Sequence, residues 1–378
     1  MKHSIINTAE WREKCAIELQ AKVKTVGRLS TFIGLDGFVD EIIHAVDKRK
    51  DAVSFQRLLT ISKLSERIAA AAGQSTNIEM VNQRTKLGGN GPIMANALAT
   101  FGFKLTYIGA LGYPTRHPVF DEFATRGEVH TIADSGHTDA LEFDDGKVMF
   151  CKSVQLNEIT WSNIQARYGR DKFTGKFSSA DLVGFVNWTM IPYMSDLWDA
   201  LLRELCPDLT PPRKKLFFDL ADPEKRSKPD IQRALDLISK FEKYFDVILG
   251  LNEKEGYEIG EVLGLDTKDH SSDGLAGLAI AIQQKLKIST LVIHPVAFAL
   301  AVSGGKADLV QGPFCAKPLI STGAGDHFNA GFCMGKLLGL ENKLALLSGV
   351  STSGHYVRTA QSPTIMDLVK LLQNWPKH

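Results

Sequence analysis

Apolar and polar positions follow two different rhythms along this chain. In the second half, short apolar runs recur at 182–187, 215–220, 247–251 and 290–294, with helical patterns between them at 195–205, 231–241 and 274–285. Continuous apolar strands separated by helices predict a parallel sheet covered on both faces. Two further runs, 298–302 and 307–310, meet at Gly304-Gly305 and predict an antiparallel hairpin after the parallel run. Segments 325–338, 342–358 and 364–374 predict closing helices.

The first half is less regular. Asn7-x-x-Glu10 predicts a capping box that opens a helix running through about Val23. Residues 30–35 are β-branched and apolar, and predict a first strand. Leu58, Ile61, Leu64, Ser65 and Ile68 stand at helical spacing and predict a helix over 54–72. A helix at 91–101 leads into a strand at 104–110, and 138–151 alternates about Asp145-Gly146 as a hairpin does. Pro211-Pro212, followed by Arg213-Lys214-Lys215, is the sharpest change of composition and reads as a surface loop before a strand.

Composition narrows the function classes. Of 378 residues, 44 are basic and 43 acidic, a net charge of +1. That balance supplies no general attraction to nucleic acid or to an anionic membrane. The five cysteines (Cys15, Cys151, Cys206, Cys315, Cys333) are odd in number and lack CxxC spacing, which argues against a disulfide framework or structural zinc. Scattered thiols fit a reducing compartment. Residues 1–13 lack the apolar run of a signal peptide, and 291–302 is too short to span a bilayer, so a cytoplasmic protein is expected.

Four segments carry candidate chemistry. Ser321-Thr322-Gly323-Ala324-Gly325-Asp326 opens a predicted helix. Small residues there let backbone N–H groups converge on an anion, and the helix start adds its positive end. A carboxylate beside phosphates is electrostatically awkward unless it takes a proton, which is the work of a base activating a hydroxyl for phosphoryl transfer. Gly88-Gly89-Asn90-Gly91 permits close approach of backbone to a ligand, with Asn90 offering donor and acceptor. Asn252 and Glu255 lie three apart after the strand 247–251, as hard oxygen ligands that suit Mg²⁺ through water. Asp36 and Asp40, in Gly34-Leu35-Asp36-Gly37-Phe38-Val39-Asp40, follow the first strand and could grip substrate hydroxyls. Each segment also has an ordinary structural explanation: a Gly-rich turn, a helix cap, a capping box, turn chemistry.

In order and position, the four segments resemble the ribokinase-like, or PfkB, family of carbohydrate kinases, from about residue 32 to 364. The most specific part is Thr322-Gly323-Ala324-Gly325-Asp326 with Phe328 and Gly331. The resemblance implies a three-layer α/β/α fold with a mostly parallel central sheet and a small lid. It implies one domain over 1–378, with the lid drawn from about 40–86 and 138–151. Asp326 would be the catalytic base. Thr322, Gly323, Ala324 and Gly325 would form the anion hole for the ATP phosphate. Asn252 and Glu255 would hold Mg²⁺, partly through water, and Asp36, Asp40, Gly88, Gly89 and Asn90 would contact the substrate. ATP and Mg²⁺ are the implied cofactors and a small sugar-like molecule the partner, with room for a lid-mediated homodimer.

Three departures from the family stand out. The family often has Asp-Thr before its Gly-rich segment, where an Asp contributes to a monovalent-cation site. Ile320-Ser321 stand there, so K⁺ is expected to activate weakly or not at all. Ile93 occupies a place where Asn usually contacts the sugar. Residues 46–86 look helical and polar where many relatives place short lid strands. Trp188 and Trp198 read as core or cavity wall, His294 and His355 as packed or surface histidines, and Arg226 as a candidate nucleotide-phosphate contact. The expected activity is transfer of the γ-phosphate of ATP to a sugar hydroxyl. A nucleoside kinase of the same fold, an ADP-using sugar kinase and a catalytically weak ligand-binding regulator remain alternatives, and the intact Asp326 argues against the last.

Overall fold

A computed structural model describes residues 5–6 and 8–376 of the chain. Among these, ten strands form one large sheet in the order Ile5–Ile6, Lys306–Gln311, Phe298–Ser303, Thr290–Ile293, Phe245–Leu251, Lys214–Asp219, Leu182–Phe185, Ser30–Gly34, Lys104–Ala110 and Glu128–Ala133. Neighbours are parallel throughout except around Phe298–Ser303, which runs against both of its partners.

Side chains alternate across each strand, so one strand feeds two cores. Phe217 enters the core made with the helices Ala9–Val26, Asn90–Phe101, Ala324–Leu337, Asn342–Thr359 and Ile365–Gln373, whereas Phe218 enters the core under Met194–Glu204, Lys228–Phe241 and Ser272–Leu286. The apolar runs of the sequence are strands buried on both sides, and the result is the expected three-layer α/β/α arrangement. Trp188 and Trp198 are both fully buried in the second of these cores. The first helix starts at Ala9, where the Thr8 hydroxyl accepts from the Trp11 N–H; Asn7 lies outside the described residues.

A second, smaller sheet stands over the carboxyl ends of the large one. Phe38–Arg49 pairs antiparallel with Met80–Gly88 and with Phe55–Arg57, and parallel with Gly136–Phe143, which forms a hairpin with Gly146–Lys152. One face packs Ile43, Ala45, Leu141 and Phe143 against Leu58 and Leu64. The opposite face carries Asp40, Thr138 and Cys151.

The structure corrects two expectations here. The helix predicted over 54–72 is confined to Ile61–Ala69, capped by Thr60, and is preceded by the strand Phe55–Arg57. The polar stretch 46–86, read as helical, ends in the strand Met80–Gly88, which is exposed over most of its length. A solvated edge strand has no buried face to impose an apolar period of two, so its sequence gives no strand signal.

Candidate active site

The parallel strands deliver their carboxyl ends to one rim, the position at which open α/β sheets bind ligands. Asp36 follows Ser30–Gly34, Asn187 follows Leu182–Phe185, Asp219 ends Lys214–Asp219, and Asn252 follows Phe245–Leu251. Asp326 joins them from the first turn of the helix Ala324–Leu337.

The loop before that helix is a glycine cap. Gly323 has φ +91°, which side chains avoid, and no side chain caps the helix start. First-turn N–H groups therefore remain for a ligand, with the helix dipole behind them. The Ala324 N–H is the exception: it closes a turn onto the Ser321 carbonyl at 3.1 Å. Of the four residues expected to form an anion hole, Ala324 thus contributes the shape of the loop, because its donor is taken.

Asp326 is 7 % exposed, and burial pushes its carboxyl up to about 8, against a hydrogen bond from Asn90 Nδ2 at 2.9 Å to Oδ1. The charges of Asp36 and Glu255 push in the same direction as burial. A carboxyl poised near neutrality is suited to accept a proton.

Asn90 is itself held by Asp36. The Asp36 carboxylate accepts from the Asn90 and Gly91 N–H groups at 2.9 and 2.8 Å and from Asn187 Nδ2 at 2.7 Å. Asp36 is fully buried and burial raises it to about 6. It was expected among the substrate contacts; the donors around its buried carboxylate are protein groups, through which it orients Asn90 and Asn187. Gly88 has a related structural duty: a Cβ there would lie 2.3 Å from the Asp40 carboxylate, so glycine is needed for Asp40 to pack where it does. Asp40, 4 % exposed, faces Lys86 Nζ at 3.7 Å, and burial raises its pKa.

Asn252 and Glu255 form a capping box: Asn252 Oδ1 accepts from the Glu255 N–H at 3.0 Å, and Glu255 Oε2 accepts from the Asn252 N–H at 2.7 Å. Glu255 Oε1 accepts from the Asp222 N–H at 2.7 Å, and burial raises its pKa. The cap explanation is therefore correct, and each carboxylate oxygen keeps a lone pair for a further partner.

Two rim residues escaped sequence reasoning. Asp219 is buried, accepts from Asn329 Nδ2 and the Ala221 N–H at 2.8 Å each, and is pushed well up by burial and by Glu255 and Asp326. Asn187 has φ +60°, and its Oδ1 is buried without a partner. Both stand at carboxyl ends of predicted strands, and that position was the available signal. Arg226 was considered for nucleotide phosphate; its guanidinium lies 4.6 Å over the Trp188 ring and donates to the carbonyls of Trp188, Thr189 and Ile191, so it braces a loop.

Two cavities meet at the glycine loop. One, of about 320 Å³, is the more polar of the two and takes Asp40, Asn90, Asn187, Glu255, Thr322, Gly323 and Asp326, roofed by Thr138, Met149 and Cys151 of the small sheet. The other, of about 370 Å³, lies on the far side of the loop at Ala324 and Gly325, with Asn252 at its edge and a largely apolar wall that includes His294, Phe314, Phe328 and Val357. His294 packs against Phe328 with ring centroids 4.7 Å apart. A loop rich in backbone donors between a polar and an apolar cavity can hold a phosphate chain with a different group on either side.

Fold and rim together define a ribokinase-like sugar kinase, and comparison with known proteins places it more closely. The prokaryotic ketohexokinase family model matches residues 6–375, and the chain belongs to that family. It is 29% identical to a ketohexokinase of Haloferax volcanii over 337 residues, covering 89% of this chain and 88% of that protein. Solved structures share the fold at low identity. Arabidopsis thaliana ribokinase, solved with ribose and ATP, has a TM-score of 0.60 at 15% identity, covering 91% of this chain and 98% of the other. Escherichia coli phosphofructokinase-2 has a TM-score of 0.61 at 14% identity over 92% and 98%. The protein is a carbohydrate kinase that phosphorylates a sugar hydroxyl. No helix among the described residues is long and apolar enough to cross a membrane.

Proposed function

We propose that this protein transfers the γ-phosphate of ATP to a hydroxyl of a ketohexose. The family match and the Haloferax volcanii ketohexokinase support the substrate class. The observation that carries the chemistry is the placement of Thr322–Asp326 as a wall between the two cavities. The sugar belongs in the polar cavity, where Asp40, Asn90 and the unpartnered Asn187 Oδ1 offer hydrogen bonds to hydroxyls. The nucleotide base belongs in the apolar cavity. Phosphates between them would meet the N–H groups of Gly323 and Gly325.

Asp326 takes the proton from the attacking hydroxyl, and Asn90 Nδ2 fixes the carboxylate for that transfer. Glu255 and Asn252, with Asp219 behind them, form a hard-oxygen donor set that fits Mg²⁺ held partly through water. The ion would supply neutralisation of charge on the transferring phosphate. The small sheet excludes water above the hydroxyl, which suppresses transfer to water.

The test is donor consumption with a panel of ketohexoses, aldohexoses, pentoses and nucleosides, run with ATP and with ADP. Turnover highest with a ketohexose and ATP is the expected result. Preference for a nucleoside or an aldose, or for ADP, would overturn the substrate or donor assignment.

A further inference from the structure

We propose that His327 is a positioning residue that locks the glycine loop in its anion-binding shape. The proposal rests on the reading of Thr322–Asp326 as the phosphate cradle. Gly323 has φ +91°, and a glycine rotates its flanking peptides at little steric cost. A loop that must aim N–H groups at an anion therefore needs an external constraint on its carbonyls, because a planar trans peptide turns the C=O and the following N–H together.

That constraint comes from two side chains outside the reacting cavity. His327 Nδ1 lies 2.7 Å from the Gly323 carbonyl, which also accepts from the His327 backbone N–H at 3.1 Å. A carbonyl only accepts, so Nδ1 carries the proton. Nε2 must then accept, and Ser362 Oγ stands 2.9 Å away to donate to it. Ser362 Oγ accepts in turn from Asn96 Nδ2 at 3.1 Å. The chain of donors from Asn96 through Ser362 and His327 to Gly323 has one direction, and it selects one neutral tautomer. The ring is 2 % exposed and stacks on Tyr356, with centroids 3.6 Å apart and planes at 13°. Tyr356 Oη donates to the neighbouring Thr322 carbonyl at 3.1 Å. Two successive peptides of the loop are thus held from behind by one stacked pair: Tyr356 fixes the peptide that carries the Gly323 N–H, and His327 fixes the peptide whose Ala324 N–H closes the turn onto Ser321, so that His327 sets the shape of the turn and not a donor to the anion. Burial drives the His327 pKa down to about 4, in keeping with a ring that stays neutral.

The experiment compares His327→Leu, His327→Asn and Ser362→Ala for kcat, for KM of donor and sugar, and for thermal midpoint. His327→Leu should lower kcat by roughly 10- to 100-fold, the scale of a small misplacement in an active site, with sugar KM nearly unchanged. His327→Asn should recover most of that loss, because its side-chain N–H lies near the place of Nδ1–H. Ser362→Ala, at a half-buried loop position, should cost about threefold or more in kcat, one neutral hydrogen bond's worth, with only a small fall in thermal midpoint; it decides the case if His327→Leu does not fold. A kcat for His327→Leu or Ser362→Ala equal to wild type, or His327→Asn as impaired as His327→Leu, would overturn the proposal in favour of plain ring packing. Gly325→Val is the separate control on the cradle. If it turns over normally, the cradle reading fails; if it is crippled while His327→Leu is not, only the role of His327 fails.

Discussion

The rim of the large sheet and the small sheet above it face the same cavity, yet they are held in place by different means. Rim residues stand within a few positions of a strand end or helix start, and a full core lies beneath them on either side. Apart from Asp326, which the Asn90 side-chain amide holds, their buried carboxylates accept from backbone N–H groups: Asp36 from Asn90 and Gly91, Glu255 from Asn252 and Asp222, Asp219 from Ala221. The small sheet depends on pairing between distant segments, such as Phe38 with Gly88 and with Gly136, and has its own modest cluster around Ile43, Leu58 and Leu64. Elements with few buried apolar contacts open at lower free energy than the core. On the function proposed above, the chemistry would sit on the rigid part and a share of sugar recognition on the part best able to move.

The largest test of this division falls on the rim. Asp326→Asn should reduce kcat by about 10²–10⁴, as expected for loss of a general base, while leaving sugar KM within a few fold. The same change should stabilise the fold. The Asp326 carboxyl is raised from 3.8 to about 8, so between those pH values the folded state holds a proton that the unfolded state has released. Stability falls with rising pH across that window, and the full cost is present above it. The thermal midpoint of Asp326→Asn should therefore exceed that of wild type by a margin that widens from pH 4 to pH 8 and then levels off. A flat margin would show that the carboxyl is not held protonated, and turnover close to wild type would remove Asp326 from the role of base.

The same division explains what could be read in the sequence. The parallel strands 182–187, 215–220, 247–251 and 290–294 were legible because strands buried on both faces are apolar without interruption. The glycine loop with Asp326 and the Asn252–Glu255 pair were legible because helix starts are written in a few adjacent residues. Asp36 was legible as a site residue from its place after the first strand, but its bond from Asn187, which lies 151 positions away, was not. The His327–Ser362 contact joins residues 35 apart through a loop, and no local pattern announces it. Met80–Gly88 failed for a different reason: an exposed edge strand need not be apolar on either face.

A smaller effect is expected at the roof. Asp40 presents a buried carboxylate from the small sheet, balanced by Lys86. Asp40→Asn removes the charge and keeps the shape. Hydrogen bonds to a charged group are worth about 1.5–3 kcal/mol, so sugar KM should rise by about 10- to 100-fold. Donor KM and kcat should change far less, because the rim is untouched. Steady-state kinetics with each substrate varied in turn separates the two. An unchanged sugar KM would confine recognition to the rim, and an equal rise in donor KM would mean that the small sheet shapes both cavities.

The smallest effect should be that of K⁺, and it asks whether the rim is complete as built. A bound K⁺ needs several oxygens to replace its water. A carboxylate among them counts heavily: at an effective dielectric near 20, a unit charge pair about 4 Å apart is worth roughly 4 kcal/mol before desolvation. The residues just before the glycine loop are Ile320 and Ser321, which bring no such charge. The nearby carbonyls of Thr322 and Gly323 already have protein donors, from Tyr356 Oη at 3.1 Å and His327 Nδ1 at 2.7 Å. The Gly323 carbonyl accepts from both His327 Nδ1 and the His327 N–H, so its two lone pairs are taken and a cation is shut out there, while the Thr322 carbonyl keeps one. Exchange of K⁺ for tetramethylammonium at fixed ionic strength should therefore change the initial rate by well under tenfold, equivalent to about 1.4 kcal/mol of transition-state stabilisation. A larger rise would place a cation elsewhere on the loop and show that the side-chain donors alone do not set its shape.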